Sequence, residues 1–158
     1  MKYSIQLSNP LASSASTRTS LTAIRLGEAG LNAHRKMILD RIPQSGDWGA
    51  FTLDGIEIKD LAYLSAYTGD EFALMRGKEK DVVLHGTPEH CYFSDELKEL
   101  LMDGKLELVA HSHPDYDMII PSEDDRRFLR EIGQKKSKII SWYTGAELEF
   151  YSDGFHFE

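Results

Sequence analysis

Three glycines divide the greater part of this chain into alternating elements. Gly69, Gly104 and Gly133 each close a stretch of helical apolar spacing, and a short strand-like run follows each within a few residues. Residues 59–68 place Leu61, Leu64 and Tyr67 on one helical face. Ser94 is positioned to cap the next helix, with Leu97, Leu100 and Leu101 inward. Ser122 is positioned to cap a third, with Phe128, Leu129 and Ile132 inward. Strands are predicted at 71–76, 82–85, 106–110, 138–142, 147–151 and 155–157. Residues 77–80 turn between the first two, and Ser152, Asp153 and Gly154 between the last two. Paired strands combined with strand–helix–strand alternation predict an α/β fold, a mixed central sheet flanked by helices.

The first 46 residues break this rhythm. Residues 8–20 are rich in Ser and Thr and read as loop or linker. Residues 27–42 carry Leu31, Ile38 and Ile42 at helical spacing, with Pro43, Ser45 and Gly46 as the stop. The expected division is an N-terminal arm over 1–46 and one larger domain over 47–158. Two roles fit the arm: packing on the domain, or clamping a substrate or partner.

Composition removes several function classes. A formal net charge of −8 opposes nucleic-acid binding, which needs Lys and Arg against phosphate. Cys91 is the only cysteine, which rules out an internal disulfide and a Cys-rich structural zinc site. No apolar run is long enough for a signal peptide or a membrane span. The expectation is a soluble cytoplasmic protein with no membrane partner.

The chemistry concentrates between residues 111 and 125. Alternate residues of a strand share a face, so His111 and His113 can point together with Cα atoms roughly 6–7 Å apart. Two imidazoles so placed can converge on one Zn²⁺. Pro114 then ends the strand. Asp125, three residues after Ser122, can bring a carboxylate to the metal from the first helical turn. Asp124 competes with it as third ligand. Three protein ligands leave a position open, the pattern of a catalytic zinc site. Glu71, at an element edge, is the candidate general base and Ser122 the candidate oxyanion donor, although spacing alone does not single out Glu71, and Glu71, Asp70 and Glu79 equally read as solvated surface charges. Ser122 is equally explained as an N-cap. Asp115 and Asp117 read as loop solvation, His34, His85, His90 and His156 as structural or surface residues, and Cys91 as buried bulk.

Together these residues resemble the JAMM family of zinc metalloproteases, also called JAB or MPN domains, in its bacterial form. The family pattern is an upstream Glu, then His-x-His-Pro, a spacer, then Ser-x-x-Asp. The matching residues are Glu71, His111-Ser-His113-Pro114 and Ser122-Glu-Asp-Asp125, and the resemblance covers residues 50–151. One feature departs from it. Eight residues, Pro114 to Pro121, precede Ser122 where the family usually has about seven. Placing the extra residue within 115–120 keeps Asp125 as ligand.

The resemblance implies a fold similar to cytidine deaminases, with Zn²⁺ on His111, His113 and Asp125 and catalysis by Glu71 and Ser122. It implies hydrolysis of a peptide or isopeptide bond, with a protein or peptide carrying an extended tail, as in ubiquitin-like modifiers, for substrate. The alternatives are a non-catalytic scaffold of the same fold, or a phage- or toxin-associated processing module.

Overall fold

The computed structural model describes residues 14–114 and 119–153. Helix α1 spans Ala15–Arg25 and α2 Ala33–Arg41. Strand β1 (Trp48–Thr52) precedes α3 (Ile58–Thr68), and β2 (Phe72–Arg76) and β3 (Lys80–His85) form a hairpin. Then come α4 (Asp95–Met102), β4 (Glu107–His113), α5 (Glu123–Ile132), β5 (Lys136–Ser141) and β6 (Glu147–Tyr151). The expected α/β architecture is present: six strands form one mixed sheet in the order β1-β3-β2-β4-β5-β6. All neighbours run antiparallel except β4 and β5, which are parallel and joined through α5.

The helices cover both faces of the sheet. Leu21 and Ile24 of α1, Ile38 of α2 and Leu61 and Leu64 of α3 share one buried cluster with Leu74, Val83, Ala110 and Ile140. Leu97 and Leu101 of α4 and Leu129 and Ile132 of α5 share the other with Met75, Leu84, Ile139 and Phe150. Strand β2 alternates between them, Phe72 and Leu74 to the first, Ala73 and Met75 to the second.

A phase shift in β4 decides what the second face carries. Leu74 pairs with Ala110 but Met75 with Leu108, so Val109 is an extra residue in the ladder. Unbroken alternation from Leu108 would turn His111 to the opposite face. With Val109 inserted, Val109 and Ala110 both pack on the α1–α3 side, and His111 returns to the side of Leu108.

Several expectations change. The Ser/Thr-rich stretch expected as loop is helical from Ala15. Ser14 accepts from the Thr17 amide as N-cap, and Leu21 and Ile24 are buried, so tertiary packing outweighs weak intrinsic propensity. The Arg25 guanidinium donates to the Trp142 carbonyl and lies over the Tyr143 ring. The helix expected over 27–42 begins only at Ala33, because Gly27 ends α1 and Asn32 caps α2. Asp60, buried at the start of α3, accepts from Arg35 at 2.8 Å and ties α2 to it. Strand β1 was not expected, since Trp48-Gly-Ala-Phe51-Thr52 lacks clear alternation. Tyr67 is 53% exposed rather than inward. The expected strand at 155–157 and the glycine of its turn lie outside the described residues. Among the described residues no helix is long and apolar enough to cross a membrane.

Leu64 and Tyr67 therefore separate under mutation. Leu64→Ala should cost about 2–5 kcal/mol in urea unfolding. Tyr67→Ala should stay within roughly 0.5 kcal/mol of wild type, as an exposed site does.

Candidate metal centre

His111, His113 and Asp125 meet where β4 ends and α5 begins. Nε2 of His111 lies 3.1 Å from Oδ1 of Asp125, and Nε2 of His113 lies 3.0 Å from Oδ2. One ligand atom from each residue falls within 4.8 Å of the others, a group that could hold a metal ion. The imidazole–carboxylate distances come close to those of a metal site, while the group taken one atom per residue spans up to 4.8 Å. A tetrahedral zinc with bonds of about 2.0–2.1 Å separates its ligand atoms by about 3.3 Å. Two imidazoles and one carboxylate suit zinc among other divalent cations.

Each ligand is held by local structure. Ser112, between the histidines, points to the opposite face and is fully buried. Its hydroxyl lies 2.6 Å from that of Ser65 on α3 and accepts from the Phe72 amide at 2.9 Å. The Trp142 amide donates to the His113 carbonyl at 2.9 Å, which fixes the strand end. The His111 ring meets Phe150 edge-on, with centroids 5.9 Å apart.

Asp125 is set by a reciprocal cap. The Ser122 hydroxyl accepts from the Asp125 amide at 3.0 Å, and the Ser122 amide donates to Oδ2 of Asp125 at 2.9 Å. The cap orients the carboxylate and leaves Oδ1 facing His111. Asp124 points elsewhere, its Oδ1 accepting from Arg127 at 2.7 Å. Asp125 is thus the carboxylate brought to the histidines. The loop residues Asp115 and Asp117 lie outside the described residues. Burial pushes the Asp125 carboxyl up, but the charges and hydrogen bonds of His111 and His113 outweigh it and hold it well below the usual carboxylate range. It is an anion at any working pH.

Glu71 joins the group across the sheet. Ala73 pairs with His111, and continuing that register sets Glu71 opposite His113 on the same face. Glu71 is buried and lines one cleft of about 500 Å³ with His111, His113, Ser122 and Asp125. Its backbone is bonded on both sides: its amide donates to the Thr87 carbonyl at 2.8 Å, and its carbonyl accepts from Gly86 at 2.7 Å. Gly86 permits this approach. A Cβ there would lie 2.4 Å from the His90 carbonyl oxygen and 2.9 Å from that of Glu71.

One residue differs from its sequence reading. Cys91 is not fully buried bulk but a half-buried wall of the cleft. Burial pushes its thiol up, and the carboxylates of Glu71 and Asp125 add to this, so it is a neutral thiol rather than a thiolate nucleophile. His85 is deeply buried and structural. Its Nε2 lies 2.7 Å from Asp70, its Nδ1 lies 2.7 Å from the Ile42 carbonyl, and its ring stacks on Phe72. His34 lies 3.5 Å from Asp60 beside Arg35. A second, shallower depression of about 490 Å³ beside Arg76 holds no such ligand group. The cleft's aromatic wall, Phe93 and Phe128, was invisible as a site in the sequence because Phe128 reads as ordinary core spacing.

Replacing His111, His113 or Asp125 by Ala should each weaken zinc binding by more than the roughly 10–100-fold that even outer partners contribute. Asp124→Ala should leave it near wild type; competition with a chromogenic chelator measures both. Gly86→Ala should cost about 1–3 kcal/mol in unfolding, because the opposing atoms are backbone. The assignment of the centre rests on geometry and residue chemistry: no family model, no curated protein and no solved structure matches the chain.

Proposed function

We propose that this chain is a cytoplasmic zinc-dependent hydrolase of the JAMM type, with a cytidine-deaminase-like fold, that cleaves a peptide or isopeptide bond in a protein or peptide with an extended tail. The observation that carries it is the convergence of His111, His113, Asp125 and Glu71 on one cleft. His111, His113 and Asp125 would hold the cation. Zinc held there acidifies water and polarises a carbonyl. Glu71 takes the proton of the attacking water and passes it to the leaving amine, splitting the amide into a carboxylate and an amine. Its seat in a buried cleft suits that work, because bulk water does not compete for the proton. The Ser122 oxygen accepts from the Asp125 amide, and its hydroxyl hydrogen would be the donor to the oxyanion. With the cation in place His111 and His113 would serve as neutral imidazole ligands, oriented by β4.

A non-catalytic scaffold of the same fold is the rival reading. It is disfavoured because the three ligands come together and Glu71 lines the same cleft. Glu71→Gln separates the two. Its carboxamide cannot accept the proton, so peptide turnover should fall by about 10²–10⁴-fold while zinc content stays at wild-type level. Wild-type turnover in that variant removes Glu71 from the mechanism. No turnover by the zinc-loaded parent across a peptide library favours the scaffold.

A further inference from the structure

The cleft holds more than the ligand group. Beyond the histidines its wall is apolar and aromatic: Phe93, Phe128, Phe150 and Leu108 line it, and Tyr92 stands 66% exposed at its rim. Phe93 and Phe128 stack on each other, centroids 4.5 Å apart, and both are only half-buried. Both line the cleft. Phe128 follows Asp125 by three residues on α5, so the two share a face, displaced by about 4.5 Å along the helix axis. The helix that delivers the carboxylate to the histidines therefore also delivers part of the wall. Among the described residues no Lys or Arg lines the cleft, whereas Glu71, Glu89 and Asp125 do, with Asp124 at its edge already paired to Arg127.

We propose that this wall is a specificity subsite, with Phe93 and Phe128 receiving a large apolar or aromatic side chain on the residue that flanks the scissile amide. The inference rests on the hydrolase reading above. Two physical reasons carry it. An apolar side chain placed there removes the exposed faces of Phe93 and Phe128 from water, which a glycine at the same position leaves wet. An acidic side chain on that wall would meet the Glu71 and Glu89 carboxylates, with no lysine or arginine among the described lining residues to pair with it. The substrate is thus an apolar-flanked peptide, and a tail of small residues fills the subsite poorly. A single methylene in an apolar pocket discriminates about 10–200-fold, so a whole aromatic ring exceeds the lower end of that range.

The test uses the full-length, zinc-loaded protein and hydroxamates of N-acetyl-phenylalanine, -leucine, -glycine and -aspartate, titrated by calorimetry. A hydroxamate grips the metal without being cleaved, so binding is read apart from catalysis. The phenylalanine and leucine compounds should bind at least about tenfold tighter than the glycine compound, and the aspartate compound most weakly. Phe128→Ala and Phe93→Ala should lower the Phe-to-Gly ratio, which is the readout. The parent series alone already decides the matter if a variant fails to fold. Equal affinities across the series, or no binding of any member, overturn the subsite. Peptides with the same four residues beside the amide form the second arm. The affinity order with no peptide cleaved sinks the hydrolase reading and keeps the subsite; cleavage indifferent to Phe or Gly sinks the subsite and keeps the hydrolase.

Discussion

Strand β4 is covered on both faces, and each polar group it carries into the interior must find a partner there. Most of what matters in this protein follows from how that demand is met. On one face Ser112 reaches Ser65 of α3 and the Phe72 backbone of β2. On the other, His111 and His113 reach Asp125 of α5. One strand end is thus tied to two helical layers and a neighbouring strand by polar contacts alone. A group left without its partner there would cost about 1–3 kcal/mol. The ligands are held in place by contacts the fold itself needs, and a site of fixed geometry requires such support.

The N-terminus of α5 meets a structural and a chemical need with the same atoms. Ser-x-x-Asp at a helix start is a capping pair, and its ordinary purpose is to satisfy orphan amides. Here the Asp125 carboxylate receives the Ser122 amide on Oδ2 and still presents both oxygens to the two imidazoles. The cap and the ligand role reinforce each other, since the cap removes the side-chain freedom that would otherwise be lost on binding a cation. The site also sits where open α/β sheets gather ligands, beyond the carboxyl end of a strand beside a parallel crossover.

The N-terminal helices are integrated by equally specific contacts. Arg25, Arg35 and Arg41 each lay a guanidinium on an aromatic ring, Tyr143, Tyr63 and Phe51 in turn. Arg35 also meets buried Asp60, and Arg25 the Trp142 carbonyl next to the strand end that holds His113. None of these long-range pairs leaves a local mark in the chain. A Ser/Thr-rich stretch gives no hint that Leu21 and Ile24 will be covered by α3.

The elements that the chain announces are those whose signals act over three or four residues. Gly69 and Gly133 close α3 and α5 as their positions imply, and Ser94 and Ser122 cap the helices they precede. His-x-His on a strand and Ser-x-x-Asp on a helix start are readable for the same reason, which is why the candidate ligands could be named from residues alone. Strand β1 escaped because pairing with β3, rather than alternation, makes it a strand. The tertiary structure alone decided two things. It put Glu71 beside the histidines, because β2 pairs with β4 across forty residues of chain. And it turned His111 and His113 toward the cleft, because the extra residue at Val109 exists only in register against β2, and register is a property of two strands rather than one.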